Sequence, residues 1–390
     1  MTAGPWLRLC GLGATGAVAL VVASGELGIT HRALVVVALP LLVALVVATR
    51  SKGLAFQVSI VSLLVFSAAL ASWWSRPLHV ALAALAAAST AVATAQLHRG
   101  TRPGRVAWRD YLTLTKPRIM SLLLLTGAAG MFVGAAGFPG WGPLAATMLG
   151  LALACGGASA LNHLLDRDLD RSMKRTASRP VADGRVAPEL ALEFGLALSA
   201  LSFVLLASAV NVLTAVLALV GNLFYVLVYT RWLKRSTPQN IVIGGAAGAV
   251  PPLVGYAAAT NSLGLAALFL FLIVFFWTPP HFWALALLIK RDYEAARVPM
   301  LPVVRGDRET ARQVLLYTVV LVALTLVPVF TGTFGPLYLA AASILGAVFL
   351  RLALRLLRST ARPEAAKLFH YSLAYLALLF VAMAADPFVL

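Results

Sequence analysis

Long apolar runs dominate this sequence, and short polar or basic segments separate them. A run of about 20 apolar residues spans the roughly 30 Å hydrocarbon core of a bilayer when it is helical. The runs are continuous and lack the alternation of polar and apolar residues that is typical of transmembrane strands, which argues against a barrel. We predict thirteen transmembrane helices, at residues 9–30, 33–49, 54–74, 78–97, 119–138, 143–163, 188–208, 210–229, 240–259, 264–289, 314–331, 336–357 and 369–385.

A basic segment at residues 97–120 divides these predicted helices into four and nine. It contains Pro103, Gly104 and Pro117, which interrupt helices. We therefore predict a four-helix membrane extension at residues 1–100 and a separate nine-helix domain at residues 101–390.

The charge pattern indicates how the chain lies in the lipid bilayer. The sequence is 61% hydrophobic and 12% charged, with a formal net charge of +17 and a mean hydropathy of +0.91. With the N-terminus inside, Arg32 and Arg76 are the only basic residues expected outside. Such an asymmetry follows the positive-inside rule and explains the net charge without nucleic acid. Since no Arg-rich presequence precedes the first run, we expect a multi-pass protein of a bacterial inner (plasma) membrane.

Polar residues follow the apolar run 143–163 at a regular spacing. In "NHLLDRDLD", Asn162, Asp166 and Asp170 are four residues apart and would share one face of a helix. Mg²⁺ binds one or two carboxylates together with phosphate oxygens and water. The basic residues that follow, including Arg175 and Arg179, would neutralise those phosphates. The alternative is a solvated helix end with intrahelical ion pairs.

A second acidic loop favours the functional interpretation. Asp292 and Glu294 lie beside Lys290 and Arg291, again directly after an apolar run and on the same predicted side. Ionisable groups at a membrane edge are costly, so two such loops indicate a site. We predict that a diphosphate is held between two metal-binding walls.

Five stretches resemble one protein family in order. Asn162-x₃-Asp166-x₃-Asp170 resembles the first aspartate motif of the UbiA superfamily of intramembrane prenyltransferases. Residues 162–180, "NHLLDRDLDRSMKRTASRP", resemble more specifically the signature of its protoheme IX farnesyltransferase branch, the heme O synthases. The other stretches are "DYLTLTKPRIMSLLLLTG" (110–127), "YTRWLKRSTPQNIVIGGAAGAVPPLVGY" (229–256), "WTPPHFWALAL" (277–287) and "DYEAARVPMLPVVRG" (292–306). The resemblance covers about residues 108–386.

This resemblance implies an all-α polytopic membrane protein, with a nine-helix bundle around a cavity that opens to the cytoplasm. The implied activity transfers a farnesyl group from farnesyl diphosphate to a vinyl group of heme b, giving heme O and diphosphate. Two Mg²⁺ ions are implied, with ligands Asn162, Asp166 and Asp170 on one wall and Asp292 on the other. A further acidic residue that is frequent in the superfamily is replaced here by Ala296, as in the heme-directed branch. The implied diphosphate contacts are Lys116, Arg175, Arg179, Lys234 and Lys290.

His281 lies in the aromatic stretch "WTPPHFW". The resemblance implies that it contacts the heme substrate or assists proton movement, and the alternative is a buried histidine bonded to a neighbouring helix.

Among the first four predicted helices, the second and the fourth carry His31 and His79 at their outer ends. Their pattern resembles half of a heme A synthase, which implies a bound heme b ligated by both histidines. Heme A synthase, which uses heme O, would then be a partner. The alternative is a degenerate membrane extension with no ligand.

Two other functions remain open from the sequence. The first is another UbiA-type prenyltransferase, which would act on a quinone precursor or a chlorophyllide. The stretches "VPMLPVVRG" and "TPPHFWALAL" argue against this function. A transporter would carry polar residues on broken helices at mid-membrane, and charges within the predicted spans are nearly absent.

Overall fold

The computed structural model describes residues 108–389, and most of them are helical, without a strand in that range. The predicted domain at 1–100, with His31 and His79, lies outside the described residues. The helices are α1 Trp108–Thr115, α2 Pro117–Ala135, α3 Trp141–Leu165, α4 Arg167–Ser172, α5 Pro188–Ala209, α6 Val212–Leu223, a π-helix Phe224–Leu233, α7 Lys234–Ser236, α8 Asn240–Gly248, α9 Val250–Thr260, α10 Leu265–Leu288, α11 Lys290–Ala295, α12 Leu301–Phe330, α13 Pro336–Ser359, α14 Arg362–Ala385 and a 3₁₀ turn Asp386–Phe388.

Within residues 108–389, nine helical units are long and apolar enough to cross a membrane. Two of them are composite: Val212–Ser236 runs from α6 to α7, and Asn240–Thr260 joins α8 to α9. The outer faces of the nine units expose large apolar side chains such as Ile344 of α13, which is 66% exposed. Apolar surface of this extent is stable against lipid and not against water. The nine-helix prediction is therefore confirmed for this part of the chain, and the protein is a multi-pass membrane protein.

The helix predicted at 314–331 begins earlier, at Leu301. Its first part is polar, so the apolar run alone did not reveal it. Gly306 has φ 79° inside this helix, in a conformation that favours glycine. The helix is consequently two segments joined by a bend, and the first segment follows the second acidic loop.

Close helix contacts depend on glycine where α2 meets α9. A Cβ at Gly255 would overlap the carbonyl oxygen of Gly127, and one at Gly130 would overlap that of Pro252. Small residues let helix backbones approach in membranes, where van der Waals packing replaces the hydrophobic drive between helices.

The charged residues of the described chain gather at one end of the bundle. Because successive spans alternate in direction, the connections at 166–187, 237–239, 289–300 and 360–361 share an end with α1. At the other end of the bundle, the described connections at 136–140, 210–211, 261–264 and 331–335 contain no Lys or Arg. The two acidic loops therefore lie at the basic end.

Candidate active site

Asn162, Asp166 and Asp170 are buried at the end of α3, with 3%, 1% and 2% of their surfaces exposed. Helix α3 ends at Leu165, and Asp166 has φ −90° and ψ 0° before α4 begins. The helical hydrogen bonding nevertheless continues, from Asp166 N–H to Asn162 O at 2.9 Å and from Asp170 N–H to Asp166 O at 2.8 Å. The three side chains do not form a solvated helix end, because they are withdrawn from water.

Two lysines from other elements bind the first two of these residues. Lys116, between α1 and α2, donates from Nζ to Asn162 Oδ1 at 2.6 Å. Lys234, just after the π-helix, donates from Nζ to Asp166 Oδ2 at 2.5 Å. Asp166 and Lys234 are 1% and 13% exposed at their side chains, so the ion pair is nearly dry.

The third residue, Asp170, is bound by Arg179 of the same loop. Nη1 of Arg179 donates to Oδ1 and Oδ2 of Asp170 at 2.7 Å and 2.8 Å. The three predicted metal ligands of this first loop thus each contact a Lys or Arg side chain that was itself predicted to contact diphosphate.

One carboxylate oxygen in this cluster lacks a hydrogen bond. Asn162 donates from Nδ2 to Asp166 Oδ2 at 2.8 Å and to Thr230 Oγ1 at 3.1 Å. Asp166 Oδ1 is buried without a hydrogen-bond partner, and Nη2 of Arg235 stands 3.9 Å away. A buried, unbonded carboxylate oxygen is costly unless a cation completes it. The donor set therefore fits a hard metal ion.

Lys116 has an unusual backbone and an unusual pKa. Its φ of 51° and ψ of 59° are left-handed, a conformation that costs energy in a residue with a Cβ and that recurs at functional sites. The pKa of Lys116 is lowered to about 7, chiefly by burial and also by the charges of Arg179 and Lys234, while the charges of Asp166 and Asp170 act in the opposite direction. The ammonium group is thus held where negative charge would stabilise it.

The loop after α4 is fixed against α1. Arg185 bonds Asp110 of α1 and also donates to Ser178 O at 2.6 Å. Leu114 of α1 packs with Val181 and Val186 of the loop. These contacts hold the segment that carries Arg175 and Arg179, so the amphipathic α1 has a structural role.

Tyr293 of the second acidic loop lies close to charged side chains of the first loop. Tyr293 is buried, and burial raises its pKa to about 12. The charges of Arg175 and Arg179 lower this pKa, whereas those of Asp166 and Asp292 raise it. The hydroxyl of Tyr293 therefore lies within electrostatic reach of charged side chains from both acidic loops.

Lys290 pairs with acidic residues close to the second acidic loop. Its Nζ donates to Asp307 Oδ1 at 2.8 Å and stands 4.0 Å from Glu294. Asp292, which precedes Tyr293, is partly buried. Among the described residues, no three His, Cys, Asp or Glu side chains are grouped as a complete metal site.

His281 is enclosed by aromatic rings. It stacks on Trp277 at 4.3 Å and on Phe369 at 4.9 Å between ring centroids. Its Nδ1 lies 2.6 Å from Ser372 Oγ, and that hydroxyl donates to Phe369 O at 2.6 Å. Since the only hydroxyl proton of Ser372 is used there, the hydrogen-bond network assigns the imidazole proton to Nδ1. Nε2 then keeps its lone pair.

Sequence reasoning missed four residues around the carboxylates: Thr230, Arg235, Tyr293 and His163. Thr230 and Arg235 flank Lys234 in "YTRWLKRS", and Tyr293 follows Asp292, so their positions in the quoted stretches were the available signal. His163 is 2% exposed, and neither ring nitrogen has a hydrogen-bond partner.

Comparisons with known proteins agree with this geometry. The profile of the UbiA prenyltransferase family matches residues 123–381. A protoheme IX farnesyltransferase of Symbiobacterium thermophilum is 54% identical over 295 residues, which are 75% of this chain and 98% of that protein. One of Thermus thermophilus is 53% identical over 290 residues, 74% of this chain and 47% of that protein. The chain thus matches about half the length of the Thermus protein and nearly all of the Symbiobacterium protein.

Two solved structures share the fold. A digeranylgeranylglyceryl phosphate synthase superposes with a TM-score of 0.61 at 19% identity, covering 72% of this chain and 99% of that one. A UbiA homologue from Archaeoglobus fulgidus, bound to DMAPP and Mg²⁺, superposes with a TM-score of 0.50 at 17% identity, covering 70% and 99%. With a helical bundle, a buried aspartate motif and these relatives, the chain belongs to the UbiA prenyltransferase family.

Proposed function

We propose that this protein transfers a farnesyl group from farnesyl diphosphate to a vinyl group of heme b, forming heme O and diphosphate. The observation that carries the proposal is the set of three contacts in which Lys116, Lys234 and Arg179 bind the aspartate motif. The name of the relatives at 53–54% identity supports the choice of substrates.

The three cations are suited to a diphosphate that arrives with metal. Each now bonds an oxygen that a metal ion would otherwise bind, so a Mg²⁺-diphosphate complex would let every group exchange its partner. Carboxylates would turn to the cation, and the Lys and Arg side chains to phosphate oxygens. The buried site would thereby remain neutralised before and after substrate binding, which avoids isolated charges.

Metal binding is proposed for Asn162, Asp166 and Asp170, with Asp292 on the facing loop and two Mg²⁺ ions in total. The unbonded Asp166 Oδ1 supports this assignment, as does a UbiA homologue bound to DMAPP and Mg²⁺. When bound, Mg²⁺ would supply Lewis-acid stabilisation of charge on the leaving diphosphate.

Ionisation would break the bond between C1 of the farnesyl group and the diphosphate oxygen, and the electron pair would leave with the diphosphate. Arg179 and Lys234 would stabilise that developing negative charge, and Lys116 would do so from the α2 side. Arg175 and Lys290 are further diphosphate contacts in the proposal. Apolar helices around the site would exclude water that destroys the allylic cation.

The acceptor step would place a new carbon–carbon bond at the heme vinyl group. Attack by the vinyl π-electrons on farnesyl C1 leaves a cation beside the tetrapyrrole ring. Water adds its oxygen there and loses one proton, which yields the hydroxyl of heme O. His281 would accept that proton or contact heme through Nε2, the nitrogen left free by Ser372.

We further infer that the basic end of the bundle faces the cytoplasm, since Lys and Arg collect there. For residues 1–100 we propose a separate membrane unit in which His31 and His79 ligate a heme b. In that arrangement heme A synthase would be a partner that consumes the product.

The decisive experiment supplies purified protein with heme b, farnesyl diphosphate and Mg²⁺ and resolves the products by mass spectrometry. The expected product is heme b plus one farnesyl group and one hydroxyl group, together with diphosphate. Unchanged heme b, alongside prenylation of a quinone precursor or chlorophyllide offered in parallel, would assign the protein to another acceptor.

A further inference from the structure

We propose that the exposed face of α13 near the basic end binds the headgroup of an anionic phospholipid. A shallow, open depression lies on this face. Its described lining comes from a single helix stripe: Ala347, Leu350, Arg351, Leu354, Arg355 and Arg358. The site is separate from the carboxylate cluster and does not depend on the proposed farnesyl transfer.

The stripe carries positive charge that is not neutralised locally. Arg351, Arg355 and Arg358 are all exposed, and within residues 108–389 none of them forms an ion pair. The carboxylate of Glu364 acts on Arg355 electrostatically, but Lys367 already bonds Glu364 at 2.8 Å. Three arginines along two turns of one helix therefore face outward with a net positive charge, which is complementary to a phosphate.

The position of Arg351 along α13 is one where a counter-ion would stabilise its charge. Helix α13 ends at Ser359, eight residues beyond Arg351, which corresponds to about 12 Å along the axis. Side chains of a helix lean toward its N-terminus, which is here the opposite, uncharged end of the bundle. Arg351 thus lies inside the candidate membrane span Pro336–Ser359, where a charge is costly unless it is paired. The helix dipole favours Arg358 in the last turn and does not reach Arg351.

The same face continues as an apolar strip toward the membrane centre. Val348 and Ile344 are exposed there, about one and two turns before the arginines. A ligand with an acyl chain beside this strip and a phosphate among the arginines matches the surface from end to end. A free phosphate ion matches only the basic part, so we commit to a phospholipid as the occupant.

The test measures the thermal unfolding of the full-length protein in neutral detergent, titrated with phosphatidylglycerol, phosphatidylcholine or inorganic phosphate. Phosphatidylglycerol should raise the midpoint temperature with saturation, and the other two should not. Since each basic residue near an anionic surface contributes about a five-fold change in affinity, the variant R351Q/R355Q/R358Q should bind phosphatidylglycerol about 100-fold more weakly.

A matched control is R308Q/R312Q, which removes exposed arginines from the basic end of α12. It should keep the full response to phosphatidylglycerol. If the triple variant folds poorly, R351Q alone should still weaken the response about five-fold. An unchanged response in the arginine variants, an equal loss in the control, or an equal effect of inorganic phosphate would each overturn the proposal.

Discussion

Replacing Asp166 by asparagine separates what this carboxylate does for catalysis from what it does for stability. The side chain is 1% exposed and accepts a 2.5 Å hydrogen bond from Lys234, which is 13% exposed. Asp166→Asn removes a proposed metal ligand, and it also leaves a buried lysine without its carboxylate. Both turnover and stability should therefore fall.

The two effects have different expected sizes. Breaking a buried ion pair by removing one partner costs about 3–5 kcal/mol. At about 2–4 °C per kcal/mol for a large domain, the midpoint of thermal unfolding should fall by roughly 10 °C. Losing the metal contact removes several kcal/mol of transition-state stabilisation, which corresponds to a rate loss of about 10³-fold.

The assay is a double-mutant cycle with Lys234→Met, read by thermal unfolding and by product formation at saturating Mg²⁺. Lys234→Met alone should also destabilise the protein, and the double variant should recover part of the lost stability, because no unpaired charge remains. Activity should stay low in every variant that lacks Asp166. The control is Asp168→Asn in the same loop, whose carboxylate is 68% exposed beside Arg167 and Arg171. It should change neither readout.

Near-normal turnover of Asp166→Asn would refute the metal assignment, since a direct ligand cannot be lost without effect. Equal stability of the single and double variants would refute the ion-pair argument independently. The two outcomes are separable because they come from different measurements on the same proteins.

Three further predictions use other parts of the site. Arg179→Ala should raise the KM for farnesyl diphosphate about ten-fold or more, since a charged guanidinium donor is lost; steady-state kinetics with each substrate varied checks this, and a change confined to the KM for heme would reassign the residue. Asp292→Asn should lower kcat by about 10²-fold if the second loop binds metal, and a Mg²⁺ titration that matches the unchanged protein would contradict it. Ser372→Ala should lower kcat and alter its pH profile with little change in the KM for farnesyl diphosphate, because His281 loses the partner that fixes its proton; an unchanged profile would leave that histidine with a packing role.

Within residues 108–389, the membrane helices were predicted well from the sequence, for reasons of local physics. Apolar run length determines whether a helix spans a bilayer, and a spacing of four residues places side chains on one face of a helix. Asn162 accordingly still bonds Asp166 across the end of α3 at Leu165, while the metal-binding role of these residues stays a prediction.

Partners across the bundle were beyond sequence reasoning. Lys116 and Lys234 were expected to bind diphosphate, but their contacts with Asn162 and Asp166 depend on how distant helices pack. The same is true of His281, whose partner Ser372 belongs to α14. The polar start of α12 was missed because a polar helix segment carries no continuous apolar signal.

The π-helix Phe224–Leu233 sets the angular position of the lysine that follows it. A π-helix holds an extra residue per turn, and such insertions recur at functional sites. Tyr225 and Tyr229 stack within it at 5.5 Å, and Lys234 begins the next turn. If the same ten residues wound as an ordinary α-helix, they would turn further about the helix axis, and everything beyond them would be rotated. The membrane span would survive such a change, while Lys234 would no longer point at Asp166. The winding of this segment is therefore as much a part of the site as the identity of its residues.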